Sequence, residues 1–185
     1  MLRHLFRSVL VFRLLSVAVL AIMLTGCAGV SVSDYADREP TFDPLVFFNG
    51  PLQAQGVVFS RSGEVRRHFT ATIDARWNAD GGVLDEVFQW SDGERQTRVW
   101  RFERDGERSY VGRAGDVKGT AQMRYAGNAV NMNYRLLVPL SSGRTIAVSM
   151  DDWLYQVDAN TLINVTDMSK FGFDVGQVVL TMRKL

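Results

Sequence analysis

Beyond Leu45 the chain alternates apolar and polar residues over short runs, with no convincing 3.6-residue period, no internal repeat and no low-complexity tract. The clearest segment is AQMRYAGNAVNMNY, from Ala121 to Tyr134. A two-residue turn at Gly127-Asn128 sets Tyr125 opposite Val130, Met123 opposite Met132 and Ala121 opposite Tyr134. Those residues share one face, and Gln122, Arg124, Asn131 and Asn133 share the other, so the hairpin is amphipathic. Before it, Gly82–Trp90, Glu94–Arg104 and Glu107–Arg113 are joined at Asp92-Gly93 and Asp105-Gly106. Type I′ turns favour that pair because both central positions need positive φ. Further strands are predicted at Gln53–Ser60, Glu64–Trp77, Arg144–Met150, Asp152–Val157, Thr161–Asp167 and Gln177–Arg183. Consecutive, briefly connected strands of this kind close most readily into a barrel, which removes exposed edges. The expected fold is all-β: an antiparallel, lipocalin-like barrel of about eight to ten strands, open at one end, with at most one short helix.

The faces of these strands nominate a site. In the Asp92-Gly93 hairpin a two-residue turn pairs Trp90 with Arg95, Phe88 with Thr97, Glu86 with Val99 and Asp85 with Trp100. Glu86 then accompanies Leu84, Phe88 and Trp90, while Asp85 and Arg98 accompany Val87, Trp100 and Phe102. Charges among aromatics are costly in a solid core and expected in a ligand cavity. The competing reading is a simple cross-strand Asp85–Arg98 ion pair, with Trp90 covering Arg95. Met123, Tyr125, Met132 and Tyr134 form a patch suited to irregular apolar ligands. With them, Glu86, Arg98, Trp100, Asp116, Asp152 and Trp153 complete the ligand-binding candidates. Asp151 and Asp152 are adjacent on a strand and point to opposite faces, which argues against a paired-carboxylate glycosidase dyad. One of the two is expected to end a turn.

The N-terminus reads differently. Arg3, Arg7 and Arg13 precede an eleven-residue apolar run, Leu14 to Leu24, with no acidic residue among them. A membrane-spanning helix needs about 20 such residues, so this is the pattern of a secretory signal peptide. The run ends in Leu24-Thr25-Gly26-Cys27, which resembles the lipobox of bacterial lipoproteins. That resemblance implies cleavage before Cys27 and acylation of Cys27, whose several chains would hold the protein on a membrane. Ala28 stands where an aspartate resembles an inner-membrane retention signal, so the resemblance implies an outer-membrane lipoprotein facing the periplasm. The expected organisation is a signal peptide over 1–26, a lipidated N-terminus and tether over 27–44, and one barrel domain over 45–185. The tether reading rests on small and polar residues interrupted by Pro40 and Pro44.

Cleavage changes the chemistry available to the rest. Cys27 is the only cysteine, and of the two histidines His4 leaves with the signal. The mature domain keeps no thiol and only His68, which excludes disulfides, thiolate catalysis, cysteine-ligated metals and two-histidine zinc motifs; no cofactor is implied. Losing three arginines takes Lys+Arg from 21 to 18 against 20 acids, a net of −2, so nothing points to nucleic acid. The period-two pattern of Glu64–Trp77 places His68 with Arg66, Thr70, Thr72, Asp74 and Arg76 on an exposed face.

The chain also resembles, over nearly its whole mature length, the bacterial lipoprotein family called domain of unknown function 3833. The resemblance lies in Phe47-Phe48-Asn49-Gly50, in Asp92-Gly93-Glu94 followed by Arg98 and Trp100, and in Gly112 through Ala121 with Asp116-Val117. It continues in Gly127-Asn128-Ala129, Asp151-Asp152-Trp153, Ile163-Asn164 and Lys170-Phe171-Gly172, while Gln55 departs from an expected aromatic. The family implies an outer-membrane lipoprotein with a lipocalin-like barrel and no established activity. Three readings of function stay open. The first is a carrier of a lipid-like ligand in the periplasm. The second is an enzyme on a lipid or small hydrophobic substrate, using His68, Glu86, Asp116 or Asp152 as acid or base. The third is a structural lipoprotein meeting an envelope partner through an open strand edge.

Overall fold

A computed structural model describes residues 29–140 and 142–185. The signal peptide and Cys27 lie outside the described residues. Ten antiparallel strands form a closed barrel. They are β1 (Gly50–Ser60), β2 (Val65–Asn78), β3 (Gly81–Trp90), β4 (Arg95–Gly106), β5 (Ser109–Arg113), β6 (Ala121–Ala126), β7 (Ala129–Pro139), β8 (Thr145–Asp158), β9 (Thr161–Lys170) and β10 (Phe173–Lys184). Each pairs with its neighbours in sequence, and β1 closes the ring on β10 from Leu52↔Lys184 to Ser60↔Gly176. Every strand thus has a hydrogen-bonded neighbour on both sides, which removes the open edge that the partner-binding reading relied on. The only helical pieces among the described residues are a 3₁₀ turn, Val32–Tyr35, and one α-helical turn, Pro44–Phe47.

Alternation decides which way the barrel faces. On β2, Phe69, Ala71, Ile73, Ala75 and Trp77 are buried, while Arg66, His68, Thr70, Thr72, Asp74 and Arg76 are exposed. On this strand the apolar face is inside and the polar face outside, whereas β1, β8, β9 and β10 also set Val57, Trp153, Val165 and Val179 side by side on the outer face.

Four sequence expectations change. The two strands foreseen at 144–150 and 152–157 are one strand, β8, because the alternation Val148, Met150, Asp152, Leu154, Gln156 runs inward without a break. Neither aspartate ends a turn: Asp152 points inside, and Asp151 accepts a 2.7 Å hydrogen bond from Asn131 on the outer face. The β4–β5 turn lies at Glu107-Arg108, not Asp105-Gly106, since Gly106 pairs with Ser109 beside a register shift.

The fourth change is the β3–β4 register. The observed pairs are Leu84↔Trp100, Glu86↔Arg98 and Phe88↔Gln96, one residue away from the expected pairing. The loop has three residues, Ser91-Asp92-Gly93, closed by Trp90 N–H donating to the Glu94 carbonyl (2.9 Å). Gly93 at φ +86° takes the left-handed position that ends such a loop. Odd loop length moves the partner strand by one, which turns Arg98, Trp100 and Phe102 onto the same face as Leu84, Glu86 and Phe88. Asp85 consequently sits outside opposite Val99, so the Asp85–Arg98 ion pair does not form, and Trp90 lies under Arg67 rather than Arg95. The Gly127-Asn128 hairpin keeps its expected register, with Tyr125↔Val130 and Met123↔Met132.

One end of the barrel is plugged. Ser31–Leu185 form one compact unit, so the packed part of the chain begins well before Leu45. Phe42 N–H donates to the Gly127 carbonyl (2.7 Å), and Lys184 donates to the Val46 carbonyl. Asp43 caps the helical turn through Leu45 N–H (2.8 Å), with Pro44 at its first position. The turn delivers Phe47 and Phe48 beside Phe42, and all three are buried as a herringbone against Trp77 and Tyr125. The segment read from sequence as a tether therefore carries Phe42 into the core.

Candidate functional site

The inward side chains do not fill the barrel. They enclose a cavity of about 440 Å³ that reaches the surface at the end opposite the plug, where Arg67, Glu94 and Pro139 line it. A volume of this size lies within the range of small-molecule sites. Most of the wall is aliphatic and aromatic, with Val178, Leu180 and Met182 on β10 and Phe69 and Ile73 on β2. At the mouth Arg67 lies 4.1 Å above the Trp90 ring and holds Asp92 (2.9 Å) and Glu94 (2.8 Å). The β9–β10 tip at the same end leaves Phe171 87 % and Phe173 68 % exposed.

Deep in the cavity a charged group interrupts the apolar wall. The β4–β5 register, continued past Arg101↔Arg113, would set Asp116 opposite Arg98, but the backbone leaves the ladder there. Residues 114–120 cross to β7 instead, where Leu137 N–H donates to the Asp116 carbonyl (2.7 Å) and Val117 bridges Leu136. Side chains replace the missing ladder. Arg98 Nε donates to both Asp116 oxygens (3.0 and 2.9 Å), and a terminal nitrogen donates to Oδ2 at 2.7 Å. Its other terminal nitrogen lies 3.7 Å from Glu86 Oε2. From the far wall Asp152 on β8 and Tyr134 on β7 face this group, and the Tyr134 ring meets Trp100 edge-on at 5.3 Å.

Burial sets the protonation of the cluster. It drives Glu86 up to about 7, against the pull of Arg98 and with the push of Asp116 and Asp152. It drives Asp152 up to about 6, opposed by the Thr166 and Tyr134 hydroxyls and by Arg98. Tyr134 is raised well above the usual phenol range by the same burial and by Asp152. Burial works against the charge of Arg98, but Asp116 and Glu86 outweigh it and hold the guanidinium charged. The Thr166 hydroxyl donates to Asn164 Oδ1 (3.0 Å), and among the described residues Asp152 Oδ1 and Glu86 Oε2 have no hydrogen-bond partner.

Of the ten residues nominated from sequence, eight line this cavity: Glu86, Arg98, Trp100, Asp116, Met123, Met132, Tyr134 and Asp152. Tyr125 and Trp153 do not. Tyr125 lies below it, stacked on Tyr110 (6.2 Å) and against Phe42 (5.8 Å) in the plug. Trp153 points outward, where Tyr35 covers it at 5.8 Å beside Tyr155. His68 is exposed on the outer face of β2, apart from the three carboxylates. Sequence reasoning missed Arg67, Phe88, Gln96 and Asn164, all of which line the cavity. Phe88 and Gln96 were recoverable from a three-residue loop, since that register alone puts every aromatic of the hairpin on one face. Among the described residues no group of three histidine, cysteine or acidic side chains stands close enough to hold a metal ion.

No curated protein matches the chain. Among solved structures, the S-type phycobiliprotein lyase CPES from Guillardia theta is similar, with a TM-score of 0.53 at 9 % identity over 85 % of this chain and 94 % of that one. At that identity the likeness concerns the fold, a lipocalin-like barrel. The model of the family described as "Protein of unknown function (DUF3833)" matches residues 21–184, and the chain belongs to that family.

Proposed function

We propose that this protein is a membrane-anchored lipoprotein of the outer membrane whose barrel holds or carries a lipid-like or small hydrophobic ligand in the periplasm. The observation that carries the reading is the cavity of about 440 Å³, walled by apolar side chains, plugged at one end and open at the other. The anchor rests on the lipobox-like Leu24-Thr25-Gly26-Cys27 after a signal-like run. Exposed Phe171 and Phe173 at the open rim suit transfer of an apolar molecule to or from a lipid surface. The enzyme reading keeps Glu86, Asp116 and Asp152 in one cavity but loses His68. The described residues lining the cavity offer Thr166 and Tyr134 hydroxyls and carboxylates but no imidazole or amine base to activate them, which favours binding.

Organic extraction of the purified chain, followed by mass spectrometry, is expected to yield a hydrophobic molecule in near-stoichiometric amount. A Met132→Trp variant, which narrows the cavity, is expected to yield markedly less of it. Equal recovery from both would place the molecule outside the cavity and overturn the carrier reading. Intact mass tests the anchor: acyl chains are expected on the native chain and absent from Cys27→Ser.

A further inference from the structure

Building on the cavity as a binding site, we infer that its ligand is an amphiphile with a cationic, hydrogen-bond-donating head, a protonated amine, which seats between Glu86 and Asp152 with its apolar chain toward the mouth. Both carboxylates are more than nine-tenths buried, at 6 % and 7 % exposure. Each presents an oxygen with no hydrogen-bond partner among the described residues, Glu86 Oε2 facing Arg98 only at an ion-pair distance of 3.7 Å, and both line the cavity. A buried acceptor left unpaired is costly, and a donor supplied by the ligand removes that cost.

The charge balance selects the sign of the head. Three carboxylates face one guanidinium, and Arg98 is already committed: two of its nitrogens hold Asp116 and the third faces Glu86. Among the described residues lining the cavity, a carboxylate head would find both cations, Arg67 and Arg98, already paired with carboxylates and would stand among like charges. An ammonium would find two acceptors, with Phe88, Trp100 and Tyr134 in the same wall. Above the cluster, Val58, Met168, Val178 and Leu180 offer only apolar surface to the chain.

The groups acting on Glu86 are Arg98 from β4, Asp116 from the 114–120 crossing, Asp152 from β8 and Asp85 on its own strand. Those acting on Asp152 include Tyr134 from β7, Thr166 from β9, Arg98 and its neighbour Asp151. Because only Arg98 among them is cationic, a bound ammonium stabilises both carboxylates in their charged form, and binding near pH 6.5 releases protons.

The test uses the full chain carrying Cys27→Ser, so that no acyl group of its own competes, with the neutral fluorophore N-phenyl-1-naphthylamine as reporter. Dodecylammonium, dodecanol and dodecanoate are titrated below their micellar concentrations at pH 7.5. One charged hydrogen bond predicts displacement by dodecylammonium at about tenfold lower concentration than dodecanol, and dodecanoate weakest of the three. The pair Glu86→Gln and Asp152→Asn is expected to erase that order while still binding the reporter. Calorimetry at pH 6.5 in buffers of different ionisation enthalpy is expected to show proton release on amine binding. Dodecanoate or dodecanol matching the amine would overturn the cationic head and leave the cavity reading standing. A wild-type chain that never binds the reporter would overturn the cavity reading itself.

Discussion

Glu86 titrates near 4.5 in an unfolded chain and near 7 inside the barrel. The folded state holds its proton more tightly, so stability is greatest below the lower value and declines as pH rises through the higher one. The difference corresponds to roughly 3 kcal/mol, and Asp152, raised to about 6, acts in the same direction. A Glu86→Gln variant is therefore expected to be more stable than the native chain at pH 8, with the gap closing as pH falls toward 4.5. Urea denaturation at the two pH values measures this, and a gap that widens on acidification would contradict it. Arg98 has the opposite role. Replacing it by methionine strands Glu86 and Asp116 without their cation and is expected to cost about 3 kcal/mol at pH 8, with partial recovery in acid.

At the scale of elements, the N-terminal segment and the three-residue loop carry the main consequences. Phe42 is 2 % exposed at the centre of the plug, and Phe42→Ala is expected to lower stability by about 3–5 kcal/mol in chemical denaturation. Gly127, at φ +51°, has no room for a Cβ against the Tyr35 carbonyl, so Gly127→Ala is expected to unseat residues 35–42 and expose that segment to protease. The hairpin register at Gly127-Asn128 was legible, whereas the Asp-Gly pairs misled at both Asp92-Gly93 and Asp105-Gly106. Asp92-Gly93 had two readings, because an Asp-Gly pair serves both a two-residue type I′ turn and the end of a three-residue loop. The arbiter lay in the sequence, since only the longer loop gathers Leu84, Phe88, Trp90, Trp100 and Phe102 onto one face. The plug was not legible: Phe42 sits among small and polar residues, and its burial depends on partners far along the chain.

For the whole molecule, the closed ring and the capped end leave, among the described residues, a route into the interior past Arg67 and Trp90 toward the Arg98 cluster. The barrel class and the mixed charged and aromatic composition of its wall could be read from period-two patterning. That Glu86, Arg98, Asp116 and Asp152 converge could not, because convergence depends on ring closure and on the path of residues 114–120. On the binding reading a small apolar molecule occupies this interior. Trp90 and Trp100 line it, while Trp77 lies toward the plug and Trp153 on the outer wall. The most direct measurement is tryptophan quenching by a brominated dodecanol, in a chain carrying Trp77→Phe and Trp153→Phe. Saturable quenching at one equivalent is expected, reversed by excess unbrominated dodecanol. Quenching that never saturates, or that appears only when Trp153 is retained, would contradict the binding reading.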